Sequence, residues 1–361
     1  MKLLKYIFRT AVFSSVFFAA YSCESLYDSE QDCSTKIKFE FRKHRQALQS
    51  VNGNAADVFY SAVSSVHLFV YDAENGELVL DRYAGTDELK TESELNIGSG
   101  SDKCYLPLDL LPGKYRLVAW CGLGADDSNN AFALCGASRA AQKYDECCVK
   151  LSSAGHPVNN EKYDALFQGY AEVSIDNSGM TVPVELTKNT NDIAVWVQHT
   201  TASFGNGDYE VVYTDANGSM RFEDNTLANS DVLEYRAHTT SLLQAETEYN
   251  GEPVEAGALI AHISTSRLMA SRQNDARLEV RNRAGATVFS IPFIKYLLEM
   301  QTFTTDGQYY LDCEDTYHCS FYLSGGNSGE GGEPGDEGEL WFPARIIINN
   351  WVRVPDQTGN I

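Results

Sequence analysis

The sequence predicts an all-β protein built as two tandem β-sandwich domains with short helical insertions. Three observations carry this. Lys36-Ile37-Lys38-Phe39-Glu40-Phe41-Arg42 alternates polar and apolar without a fault, the pattern of a half-buried strand. Two successive strand series of similar layout follow, divided by the polar stretch Lys188-Asn189-Thr190-Asn191-Asp192. Finally, 43% of the 361 residues are apolar, with 20 Tyr and 17 Phe among them, and chains rich in aromatic and β-branched residues favour strands. At roughly 150 residues per domain, this length accommodates about two.

Residues 1–22 read as a signal peptide. Lys2, Lys5 and Arg9 make a basic head, and Tyr6–Ala20 is an apolar run, shorter than the roughly 20 residues that cross a bilayer. Cys23 follows Ala20-Tyr21-Ser22, where the run ends. A cysteine placed there suggests a bacterial lipoprotein, acylated on the thiol and cut just before it, although Tyr21 departs from the small-residue pattern. Each buried methylene contributes about 0.8 kcal/mol, so two or three acyl chains anchor stably. Residues 23–35 are then a lipidated tether, acidic through Glu24, Asp28, Glu30 and Asp32. Removing residues 1–22 takes away three positive charges, so the formal charge falls from −22 to −25. A chain this acidic, with no basic stripe, excludes nucleic acid as a partner.

The N-terminal sandwich is expected over 36–188. Val63–Tyr71 and Glu77–Tyr83 form a hairpin around Asp72–Gly76, and Lys114–Cys121 is a further strand. Residues 122–165, rich in Gly, Asp, Asn and Ala, read as a long, partly helical excursion holding several cysteines. Gln168–Ile175 and Thr181–Leu186 are strands. The C-terminal sandwich is expected over 189–361. Its strands are Ile193–Gln198, Tyr209–Tyr213 and Ala258–Ser264, then a hairpin of Arg277–Arg281 and Ala286–Pro292. Phe293–Met300 reads as a short helix. Gln308–Leu311 and Ser320–Leu323 read as strands. Residues 324–339, mostly Gly, Glu, Ser and Asp, cannot bury a core and read as a mobile loop. A last strand follows over 341–354. Along it Ile346, Ile348, Val352 and Val354 share one face, interrupted by Asn350, with Arg345, Asn349 and Arg353 on the other.

With Cys23 lipidated, eight of the nine cysteines remain, and an even number in an exported protein favours disulfides. Cys313 and Cys319 flank Glu-Asp-Thr-Tyr-His between the two aromatic strands, so they are the candidate disulfide at a hairpin neck. Metal binding is the rival, but no second Cys/His pair has zinc-like spacing. No constellation for catalysis assembles either. The seven histidines are scattered, and His67 and His262 lie in strand patterns. No nucleophile elbow, phosphate loop or His-Glu-x-x-His is present. Asp126, Asp127, Asn129 and Asn130 lack the spacing of a calcium loop. Trp120, Trp196, Trp341 and Trp351 fit the core better than a sugar platform. No catalytic, cofactor or metal residue is assigned, and the chain is not expected to be an enzyme.

Several segments in order resemble the Bacteroidales-type fimbrillin-associated anchor lipoproteins, minor subunits of type V fimbriae. They are Cys23–Asp28 with Asp32-Cys33, Val66–Val79, Pro112–Trp120, Asn282–Leu297, and the ending Ile348–Val352. The resemblance implies two transthyretin-like Greek-key β-sandwiches, no catalysis and no cofactor. It implies a structural lipoprotein that anchors a fimbrial polymer in the outer membrane through lipid at Cys23, exposed at the cell surface. The implied protein partner is a fimbrial stalk subunit, reached by donating or pairing the C-terminal strand. Exposed strand edges template such pairing, while the same pattern also suits a strand that completes its own sheet. The alternative is a fimbrial tip adhesin or a surface glycan- or protein-binding lipoprotein. Stalk subunits of the family lose their first strand to an arginine-specific protease, and Arg42-Lys43-His44-Arg45 follows the first strand here. An anchor is expected to keep Lys36–Arg42, pinned by a disulfide from Cys33.

Overall fold

The computed structural model describes residues 34–41, 48–51, 54–57, 62–135, 148–152, 158–176, 179–199, 204–221, 225–228, 231–249, 252–300, 306–314, 316–325, 340–349 and 351–353. Cys23, Cys33, Arg42–Arg45, most of the Gly/Glu loop and Val354 lie outside them.

The chain opens with β1 (Thr35–Glu40), β2 (Leu48–Val51), β3 (Asn54–Asp57), β4 (Ser65–Asp72), β5 (Leu78–Gly85), β6 (Tyr105–Leu108) and β7 (Gly113–Cys121). After β8 (Phe132–Cys135), β9 (Cys148–Leu151) and β10 (Val158–Asn159) come β11 (Phe167–Ile175) and β12 (Thr181–Lys188). Seven of these strands make one sheet in the order β5-β4-β7-β11-β12-β1-β6. Val66, Leu68 and Leu117 from one half of it share a core with Ile37, Phe39 and Val184 from the other. That shared core makes the unit sandwich-like. β4 is buried on both faces along its first seven residues. Val66, Leu68 and Val70 enter this core, and Phe69 and Tyr71 enter a second one. Two-sided burial explains why its sequence is a near-continuous apolar run rather than an alternation.

The second core begins in the stretch expected as an excursion. The described parts of 122–165 include β8, β9 and β10, and two of these strands pair across to the C-terminal half. β9 pairs with β15 (Ser219–Arg221), and β10 runs parallel to β16 (Leu233–Arg236). Phe132, Val149, Leu151 and Tyr163 pack with Phe69 and Trp120 on one side and Met220 and Tyr235 on the other. Gly122 starts the detour at φ +100°, and a Cβ there would collide with the Ala165 carbonyl where the chain returns. Only glycine fits that crossing. Cys135 and Cys148 stand opposite each other on β8 and β9 and form a disulfide with Cα atoms 5.2 Å apart.

β12 runs almost directly into β13 (Thr190–His199). The polar stretch between them is therefore no exposed linker: Asn189, Thr190 and Asn191 are buried. Asn189 and Asn225 exchange side-chain hydrogen bonds at 2.7 and 2.8 Å, and Asn191 Nδ2 donates to the Glu314 carbonyl. Buried amides at this depth must be paired, and these are.

The remaining strands are β14 (Tyr209–Asp215), β17 (Thr239–Tyr249), β18 (Glu252–Ser266), β19 (Arg277–Asn282), β20 (Thr287–Pro292), β21 (Thr316–Gly325), β22 (Trp341–Ile348) and β23 (Trp351–Arg353). They form two sheets, β10-β16-β14-β19-β20 and β17-β18-β13-β21-β22-β23. Aromatic pairs lock one onto the other, with Phe289–Phe321 centroids 5.2 Å apart and Tyr209–Trp341 centroids 4.7 Å apart. The expected helix is present as α1 (Phe293–Glu299).

One expected strand is a helix. Gln308–Leu311 lies in α2 (Gly307–Cys313), because Asp306 Oδ1 accepts from the backbone N–H groups of Gln308 and Tyr309 at 3.0 and 3.2 Å. That N-cap outweighs the strand preference of the tyrosines. The correction removes the hairpin on which the Cys313–Cys319 disulfide rested. Cys313 ends the helix, Cys319 sits mid-strand in β21, and both remain thiols. Burial pushes the Cys319 thiol well above its ordinary pKa, so it carries little reactive thiolate.

Candidate assembly edge of the C-terminal sandwich

The C-terminal segment was expected as one strand over 341–354, and it is a hairpin instead. β22 runs antiparallel to β21, and β23 folds back antiparallel onto β22. Asn349 makes the reversal with φ +46°, a conformation asparagine tolerates better than most residues. Its side-chain oxygen accepts from His318 N at 2.8 Å while its own N–H donates to the His318 carbonyl at 2.9 Å. The turn is thereby tied to β21.

This reversal changes which residues share a face. Ile348 pairs with Trp351 and Ile347 with Val352, and directly opposed residues project the same way. Ile346 and Ile348 are 0% and 2% exposed in the core, whereas Val352 stands on the opposite face and is 59% exposed. The expected single face of Ile346, Ile348, Val352 and Val354 is thus split between the first two and Val352. Within the single chain β22 pairs with β21 and β23 in its own sheet. Among the described residues, β23 has β22 on one side and no strand on the other.

The outer face of the same sheet carries a row across six strands: Ser241, Ile260, Trp196, Ser320, Ile347 and Val352. Trp196 is 43% exposed there, and Phe342 is also exposed. Arg345 stacks over Tyr322 with 4.1 Å from guanidinium carbon to ring centroid. Trp120 and Trp341 are core residues as expected, while Trp196 and Trp351 are not.

The first strand contrasts with this edge. β1 lies between β12, parallel, and β6, antiparallel, with Ile37, Phe39 and Phe41 buried. Among the described residues, no group of three or more His, Cys, Asp or Glu side chains could hold a metal ion. His67 is a buried sheet histidine, with Nε2 hydrogen-bonded to Asp81 at 2.8 Å and Nδ1 3.2 Å from Asp127. The Asp126–Asn130 loop is turn chemistry, with Asn129 Oδ1 accepting from Ala131 and Phe132 N–H. No described helix is long and apolar enough to cross a membrane.

Comparison with known proteins now decides the family. The pattern of the fimbrillin-A associated anchor proteins Mfa1 and Mfa2 matches residues 29–355. The chain belongs to this family. Its members are fimbria-associated structural proteins rather than enzymes. Among solved structures, an adhesin candidate from Bacteroides thetaiotaomicron is 26% identical, with TM-score 0.67, over 89% of this chain and 98% of that one. The fimbrial anchor protein Mfa2 of Porphyromonas gingivalis shares the fold, with TM-score 0.59 at 15% identity, over 89% of this chain and 98% of that one. So does a polysaccharide-binding candidate from B. thetaiotaomicron, with TM-score 0.66 at 21% identity, over 91% of this chain and all of that one. Curated proteins gave no match.

Proposed function

We propose that this protein anchors a fimbrial polymer to the outer membrane: acyl chains on Cys23 hold it there, and the C-terminal sheet edge pairs with the first stalk subunit. It turns over no substrate. The observation that carries the reading, beyond family membership, is the asymmetry of the two chain ends. β1 is enclosed by neighbours, which suits a subunit that keeps its first strand. β23 has one side without a strand among the described residues, beside the exposed Val352, which suits strand addition by a partner. Pairing along β23 is preferred to expulsion of β22, because expulsion would bring Ile346 and Ile348 out of the core.

Deleting the gene tests this. Fimbriae are expected to be shed into the medium or to change in length, and normal attached fimbriae would reject the reading. A Cys23→Ala chain is expected in the soluble fraction. The second reading is a tip adhesin, favoured by the 26% identical structure described as an adhesin candidate. A wild-type level of attached fimbriae together with loss of adhesion in the deletion strain would select it.

A further inference from the structure

We infer that β1 is a mechanical clamp, the strand by which the folded body holds its own N-terminal tether under tension. This rests on the anchor reading, in which force enters the body at the Thr35 end of β1, and it names the element that bears that force.

The register sets the direction of loading. β1 runs parallel to β12, with Lys36 opposite Thr181 and Glu40 opposite Glu185. The tether joins β1 at its Thr35 end, while β12 continues from its other end, Lys188, into β13. Tension between the tether and the C-terminal half therefore draws these two strands past each other along their length. The antiparallel partner β6 opposes the same movement along Thr35–Lys38. Backbone bonds on both sides then share the force at once, among them Lys36 N–H to the Met180 carbonyl at 2.8 Å and Phe39 N–H to the Cys104 carbonyl at 3.0 Å. A strand pulled sideways gives up its bonds one after another. Forced unfolding is governed by the rate of crossing the barrier, so the same bonds resist better when loaded together.

Side chains add a second lock. Ile37, Phe39 and Phe41 lie in the core, and between them Lys38 and Glu40 stand on the other face, 3.5 Å apart. A slip of one residue exchanges the two faces of a strand. Here it would carry Lys38 and Glu40 into the core positions of Ile37 and Phe39, where a charge is costly. The next register that buries apolar side chains is two residues away, so β1 cannot creep under load one residue at a time. Burying one face needs only polar residues on the other; charges there also guard the register.

β1 is the shorter of the two strands in the load path. β13, which takes over the load from β12, is held by β18 along Thr190–Gln198 and by β21 along Asp192–His199. Both ladders are longer than those of β1, so β1 yields first.

The test is single-molecule pulling on the full mature chain. Handles are placed at residue 23 and at Lys162, which is exposed just before β11 at the end of the sheet where β12 finishes. The first rupture is expected to release the chain from β1 up to β4. Moving the first handle to residue 43 pulls β1 from its opposite end and is expected to lower the rupture force several-fold. Lys38→Val combined with Glu40→Val takes the charges out of the slip. This variant is expected to rupture at lower force while its midpoint in chemical denaturation holds or rises, whereas a merely structural role would move both down together. Equal forces from the two handle positions, a first rupture elsewhere, an undiminished force in the double variant, or a force that falls only with the midpoint each overturns the inference. No membrane enters the measurement, which keeps it apart from the anchor reading: a Cys23→Ala chain that stays in membranes would reject that reading and leave the rupture force unchanged.

Discussion

The first and last strands of this molecule begin from similar sequence patterns and end in opposite situations. β1 and β22 both place alternate apolar residues in a core, Ile37 and Phe39 in one and Ile346 and Ile348 in the other. β1 then closes between two partners, whereas β22 is followed by a turn and a short strand with one neighbour among the described residues. Alternation specifies that a strand has a buried face. What lies beyond its backbone edge is set by the elements that arrive next to it. In β1 both edges are satisfied internally, so that strand belongs to stability. In β23 one edge and an exposed valine are left over, so that strand is available for recognition.

The comparison breaks most severely at Phe39. Phe39→Ala is expected to cost about 3–5 kcal/mol, read as a lowered midpoint in chemical denaturation. A loss below about 1 kcal/mol would mean that β1 is not an integral strand. Ile346→Ala is expected to cost about 2–5 kcal/mol, because β22 is built into its own sheet; a near-neutral result would revive a β22 that leaves the core readily. The Cys135–Cys148 disulfide probes what joins the two regions, since β9 pairs with β15 and Phe132 and Val149 pack between the halves. Replacing both cysteines by serine is expected to remove about 3 kcal/mol, given the short loop it closes. An unchanged denaturation midpoint in the double variant would mean that this disulfide does not stabilise the joint. The smallest effect on stability is expected at Val352. Val352→Asp should stay within about 0.5 kcal/mol yet reduce capture of the stalk subunit from membranes. Full capture would move the assembly surface away from β23.

Some of this was legible and some was not, for reasons that lie in particular residues. The hairpin around Asn282–Gly285 was readable because its turn is local: Gly285 sits at φ +82° and Asn282 Oδ1 accepts from Ala286 N–H. Gln308–Leu311 misled because two tyrosines outweighed a single capping aspartate. The C-terminal hairpin was missed although Asn349-Asn350 carries a turn signal, because the apolar parity continued past it.

The sequence by itself determined the all-β class and most strand positions, because period-two alternation and turn residues act over a few neighbouring positions. Its last apolar segment was compatible with either an exchanged strand or a closed one. Only the tertiary structure placed β22 between β21 and β23 and left β23 with a single strand neighbour among the described residues. It also decided that 122–165 joins the two halves and that Asn189 and Asn191 are buried polar links rather than a linker. Those outcomes depend on contacts between residues far apart in the chain, such as Asn189 with Asn225 and Asn191 with Glu314. A buried amide and a solvated one are the same letter until the partner that satisfies it has been brought alongside.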